Sequence, residues 1–65
     1  MSKERLEEIA SKTRSMFTSN NSKPYISRNN GTVTLTYKDD SRIIIDTKRK
    51  TIKYLSRYCL YLSSI

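Results

Sequence analysis

Hydrophobic and polar positions change period along the chain, and each change marks an element. Leu6, Ile9, Ala10, Thr13, Met16 and Phe17 recur at spacings of three and four, which sets them on one helical face about 120° wide. Glu7, Glu8, Ser11, Lys12 and Arg14 fall off that face and are expected in solvent. Ser2 can cap this helix, with Glu4 in its first turn favoured by the helix dipole, so a first helix is predicted over 2–17. Thr18 to Lys23 is a polar breaker cluster, and Pro24 forbids a helix running through it. From there the period falls to two. Tyr25-Ile26-Ser27-Arg28 is extended by type, and Thr32 to Lys38 alternates so that Val33, Leu35 and Tyr37 face inward and the threonines outward. Asn30-Gly31 between them calls for a type I′ hairpin turn. Asp39-Asp40-Ser41 turns the chain again, and Ile43-Ile44-Ile45 reads as a strand covered on both faces or meeting a partner on its second face. Strands are predicted over 24–29, 32–38 and 41–46.

The last stretch supports two readings. Wound at roughly 100° per residue, Arg49, Lys50, Lys53 and Arg57 gather on one arc. Ile52, Tyr54, Leu55, Tyr58, Cys59, Tyr61, Leu62 and Ile65 fill most of the rest. That segregation, and a run from Lys48 to Leu62 with no Gly, Pro, Asn or Asp, favour a basic helix over about 48–63. The even positions from Ile52 to Leu62 also suit a strand, and a short fourth strand at Thr51 to Leu55, paired across Thr47 to Lys50, remains open. With the helix preferred, the fold class is α+β: one small domain over 1–65, helix-strand-strand-strand-helix, with a three-stranded antiparallel sheet and both helices on one face.

Composition narrows what such a domain does. Sixty-five residues leave no room for a second domain, and a 35% apolar share is lean, so a homodimer that buries more apolar surface is an expectation. Cys59 is the only cysteine, which fits a reducing, cytoplasmic setting. No secretory leader and no apolar run long enough to span a bilayer are seen, so no integral membrane association is expected. The sequons Asn20-Asn21-Ser22 and Asn30-Gly31-Thr32 are then chance matches.

Catalysis has little to draw on. The chain has no histidine and one glycine, which removes the commonest general base and any Gly-rich phosphate loop. Asp39 and Asp40 read as a turn, and Cys59 as a structural thiol. The expectation is no enzyme, no metal and no cofactor. Tyr54, Tyr58 and Tyr61 lie on the apolar arc and read as core or dimer packing rather than as platforms for bases.

Charge is the positive signal. The net charge is +7, the isoelectric point is near 9.9, and Lys48, Arg49, Lys50, Lys53 and Arg57 have no acid among them. Such a cluster suggests a polyanionic partner. The predicted element order, and the spacing Arg49-Lys50-Thr51-Ile52-Lys53 beside Lys48, resemble the double-stranded-RNA-binding domain. That family opens its second helix with two lysines and a third after two intervening residues. The resemblance implies that Arg49, Lys50 and Lys53 clamp phosphates, and that Arg28-Asn29-Asn30-Gly31 occupies the place of a loop entering a minor groove. The chain lacks that family's Gly-Pro and His in the loop and its alanine-rich second helix. The expected function is a nucleic-acid-binding module for duplex RNA or DNA with little sequence specificity, using Lys48, Arg49, Lys50, Lys53, Arg57, Arg28, Asn29 and Asn30. The alternative is a small regulator or inhibitor, of the kind mobile elements encode, that docks on an acidic protein surface.

Overall fold

The computed structural model describes residues 2–19 and 22–65. Among the described residues one helix, α1 (Lys3–Ser15), precedes five strands: β1 (Tyr25–Asn29), β2 (Thr32–Thr36), β3 (Arg42–Asp46), β4 (Thr51–Leu55) and β5 (Leu60–Ser64). The strands form a single antiparallel meander in chain order. Asn20 and Asn21, and with them part of the first sequon and of the polar linker, lie outside the described residues.

Local chemistry sets the early elements as the sequence suggested. The Ser2 side chain accepts from the Arg5 N–H at 3.2 Å and caps α1. Asn30 and Gly31 both have positive φ, 49° and 85°, the left-handed pair that a type I′ turn requires. Alternation then puts Ile26, Leu35, Ile43, Tyr54 and Tyr61 in one row across the inner face, and Arg28, Val33, Ile45, Ile52 and Ser63 in the next. Leu6, Ala10 and the buried members of those rows, with Tyr37, make the core. Phe17, just past the helix, stacks on Tyr54 with ring centroids 4.5 Å apart and meets Tyr61 edge-on.

The predicted second helix is not there. The described residues form one helix and five strands rather than two helices and three strands, and residues 48–63 fold as a turn, β4, a turn and β5. The strand alternative at Thr51–Leu55 is the one that holds. Ile52 and Tyr54 are buried while Lys53 and Leu55 point to the other face, and a helix would have forfeited the ladder bonds that β4 makes to β3 and β5. Leu60 lies on β5 and is exposed.

Among the described residues, only one face of the sheet is covered. The other carries three rows: Tyr25, Thr36, Arg42, Leu55 and Leu60; Ser27, Thr34, Ile44, Lys53 and Leu62; Asn29, Thr32, Asp46, Thr51 and Ser64. Ile43 and Ile45 are thus core residues and Ile44 is half-buried on the open side. No helix among the described residues is long and apolar enough to cross a membrane.

A second correction concerns Arg14, expected in solvent and found only 3% exposed. Its guanidinium lies 4.0 Å over the Tyr37 ring and donates to Asp39 Oδ2 at 3.0 Å. Met16, expected on the buried helical face, is exposed because α1 ends at Ser15.

Candidate functional site

The meander sorts its turns between two ends of the sheet. The β1–β2 turn (Asn30-Gly31) and the β3–β4 turn (47–50) share one end, and the β2–β3 turn (37–41) and the β4–β5 turn (56–59) share the other. At the first end the two tips are tied together. Thr47 donates to the Gly31 carbonyl through its N–H at 2.9 Å and its hydroxyl at 2.6 Å. The Lys48 side chain lies across Gly31 so closely that an added Cβ would meet its Cε at 3.1 Å. Asp46 Oδ1 accepts from the backbone N–H groups of Lys48 and Arg49, both at 3.0 Å. Those bonds, that to Arg49 first, hold its carboxyl below the usual carboxylate range. Lys50 then turns the chain into β4 with a φ of 55°.

Six of the eight sequence-derived residues therefore converge at one end: Arg28, Asn29, Asn30, Lys48, Arg49 and Lys50. All six are exposed. Lys53 sits farther along β4, on the open face beside Ile44 and Leu62. Arg57 is at the opposite end, 3.5 Å from Asp40 in an exposed ion pair. The single basic helix face is replaced by a turn cluster with one outlier on the sheet and one at the far end.

Sequence reasoning missed Lys3. It shares a shallow groove of about 410 Å³ with Ile26 and Arg28, so α1 brings its first residue to the basic end. Nothing local in the sequence signals this, because the approach is set by how α1 lies on the sheet.

The far end is built differently. Asp39 is held by the Ser41 hydroxyl and N–H and by Arg14, which lower its pKa in that order. Burial is the main influence on the Tyr37 hydroxyl and raises its pKa, with Arg14 opposing. Between α1 and β1–β2 runs a groove of about 590 Å³, floored by Ile26, Leu35 and Tyr37 and rimmed by Glu7, Arg14 and Lys23. The Arg14 head is engaged with Asp39 and Tyr37. No group of three His, Cys, Asp or Glu among the described residues could hold a metal ion. Tyr54 is core and Tyr61 half-buried, but Tyr58 is 92% exposed on the β4–β5 turn, which removes it from the core of the single chain. Cys59 is half-buried in the same turn.

Comparison with known families, with curated proteins and with solved structures finds no match. The motif that carried the resemblance to the double-stranded-RNA-binding domain, Arg49-Lys50-Thr51-Ile52-Lys53, lies on a turn and a strand and not at the start of a helix.

Proposed function

We propose that the chain binds nucleic-acid phosphates with little sequence readout, through the end of the sheet where the Asn30-Gly31 tip meets the Lys48-Arg49-Lys50 turn. The observation that supports it is the joining of these two tips through Thr47 and Gly31. Three consecutive cations are thereby held on a structured turn, and Asp46 at the end of β3, the one acid beside them, bonds the backbone N–H groups of Lys48 and Arg49 and offsets only part of their charge. Arg28 and Lys3 extend the positive surface, and Lys53 leads it onto the open face. Phosphate contact needs charge and donors in a fixed array, and this end supplies both. Two exposed asparagines at the adjoining tip add neutral donors and acceptors. The exposed tyrosines, Tyr25 and Tyr58, lie toward the opposite end, which argues against base stacking as the main contact.

Titration of labelled duplex RNA, duplex DNA and single strands at one salt concentration, repeated at rising salt, tests this. Both duplexes should bind, with affinity that falls steeply as salt rises. Salt-independent binding, or none, would contradict the proposal.

A second reading has its own observation. Ile44, Leu55, Leu60 and Leu62 share the uncovered face with Arg42 and Lys53, a mixture suited to an acidic, partly apolar protein surface. A regulator of that kind would lose its partner on Lys53→Glu but keep it after nuclease treatment.

A further inference from the structure

β5 is an edge strand without the usual defences. It reads Leu-Tyr-Leu-Ser-Ser, with no charge, no proline and unbroken pairing to β4, whereas edges are normally blunted by lysine, proline or a bulge. β1, the other edge, has Pro24 at its entrance and Arg28 within it.

The hydrogen-bond phase of β5 follows from the bonds that flank it. Ser56 N donates to Cys59 O at 2.9 Å, and Ile65 N donates to Lys50 O at 2.8 Å. Antiparallel pairs alternate between bonded and non-bonded, so Tyr54↔Tyr61 and Ile52↔Ser63 are the bonded pairs in this register. The N–H and C=O groups of Leu60, Leu62 and Ser64 consequently point away from the sheet. Of these, Ser64 O takes only a long bond of 3.3 Å from Ser63 Oγ. The side chains of the same three residues lie on the open face, with Leu60 and Leu62 exposed by 61% and 62%.

We infer that β5 pairs antiparallel with β5 of a second copy of this chain, about a two-fold axis at Leu62. In that register Leu62 meets its own counterpart and Leu60 meets Ser64, so each outward N–H finds an outward C=O. The two Leu62 side chains become an apolar cross-strand pair on the open face. Each copy carries +7, but on the open face the two Lys53 residues are each one strand inside the edge. They stand three strand spacings apart, roughly 14 Å, beyond a Debye length of about 8 Å. The neutral edge also favours a copy over an acidic strand, because β5 offers no cation to select acid. Pairing consumes both β5 edges and leaves the two β1 edges outermost, where Pro24 and Arg28 stop further addition. The assembly closes as a dimer and does not grow into a fibre. It stands independently of the phosphate reading. A five-residue edge buries less than the roughly 800 Å² per partner of a standard interface, so the association is weak, with a dissociation constant on the order of 100 µM.

Sedimentation equilibrium from about 10 µM to about 1 mM, with amide exchange followed by NMR, tests the inference. The full chain should shift from monomer to dimer, and the Leu60, Leu62 and Ser64 amides should exchange more slowly as concentration rises. Leu62→Lys sets like charges opposite each other at the axis and should stay monomeric with an unchanged far-ultraviolet spectrum, since the side chain is exposed. A wild type still monomeric at about 1 mM overturns the inference. A dimer indifferent to Leu62→Lys overturns it too, as does slowed exchange at those amides caused only by an added alternating Glu-Val peptide.

Discussion

Among single residues, the pairing of Arg14 with Asp39 is the contact least legible in the sequence. A helical wheel assigns a charged side chain off the apolar face to water. Arg14 is instead buried because its partners, Tyr37 and Asp39, come from a turn about 25 residues away, a coincidence of tertiary structure with no local signature. The two partners are not equivalent. Asp39→Ala leaves a buried guanidinium without its carboxylate and removes the bonds that hold Ser41, so it should cost about 2–3 kcal/mol in urea unfolding. Arg14→Met removes the buried charge and leaves a 40% exposed carboxylate still bonded to Ser41, and should cost less, about 1 kcal/mol. Equal costs would show that the ion pair acts as packing alone. The pH dependence follows from the same group. Asp39 and Asp46 have folded pKa values below the unfolded ones. Their contribution is therefore complete above the unfolded carboxylate pKa, near about 4, and lost as pH falls below it. Melting temperature should fall on acidification through that window, and Asp39→Asn should flatten the fall. At the alkaline limit the raised Tyr37 pKa has the opposite sense, with stability lost as pH rises past the ordinary tyrosine value.

Among the elements, the early ones were readable because their punctuation is conventional. Ser2 caps, Pro24 breaks, and Asn30-Gly31 turns. The tail was misread because its turns lack those marks. The β3–β4 turn takes its left-handed residue as Lys50, with Asp46 supplying the bonds. The β4–β5 turn (56–59) uses no Gly, Pro, Asn or Asp at all. A stretch without breakers looks like one long element, and the helical wheel then finds a segregated face that the strand alternation of Ile52 and Tyr54 equally allows. The turns give a paired test. Lys50→Gly relieves a left-handed conformation that costs a side chain roughly 1 kcal/mol, and should leave folding unharmed or slightly stabilised. Gly31→Ala strains a φ of +85° and presses a Cβ onto Lys48, and should destabilise by about 1–2 kcal/mol. Thermal or urea unfolding of the two variants reads both signs. Matching losses would mean that Lys50 is held by contacts unseen in the turn.

For the molecule as a unit, a thin core and an uneven charge distribution follow from the same architecture. One helix covers one face of a five-stranded sheet, so the apolar residues suffice for that face, and Ile44, Leu55, Leu60 and Leu62 remain on the other. The cations of α1 are mixed with Glu4, Glu7 and Glu8, and those of the far end with Asp39 and Asp40, while the Lys48–Lys50 turn has a single acid, Asp46, beside three cations. The identity of most cationic candidates was legible from the run Lys48-Arg49-Lys50 and from the hairpin signal. Their division between two ends was not, because it depends on the number of strands.

Salt-dependent binding of duplex RNA by two triple variants separates a phosphate site at the tied turns from a diffuse positive field. One variant replaces Lys48, Arg49 and Lys50 by Gln; the other replaces Lys12, Lys38 and Arg57 by Gln, which removes the same charge from elsewhere. The wild-type slope of log affinity against log salt should be roughly −4 to −5, for about five neutralised phosphates. The turn variant should bind at least about tenfold more weakly than the other, and its slope should shrink by roughly one unit for each phosphate no longer neutralised. Equal affinities and equal slopes in the two variants would contradict the proposed site, leaving net charge alone to explain any binding.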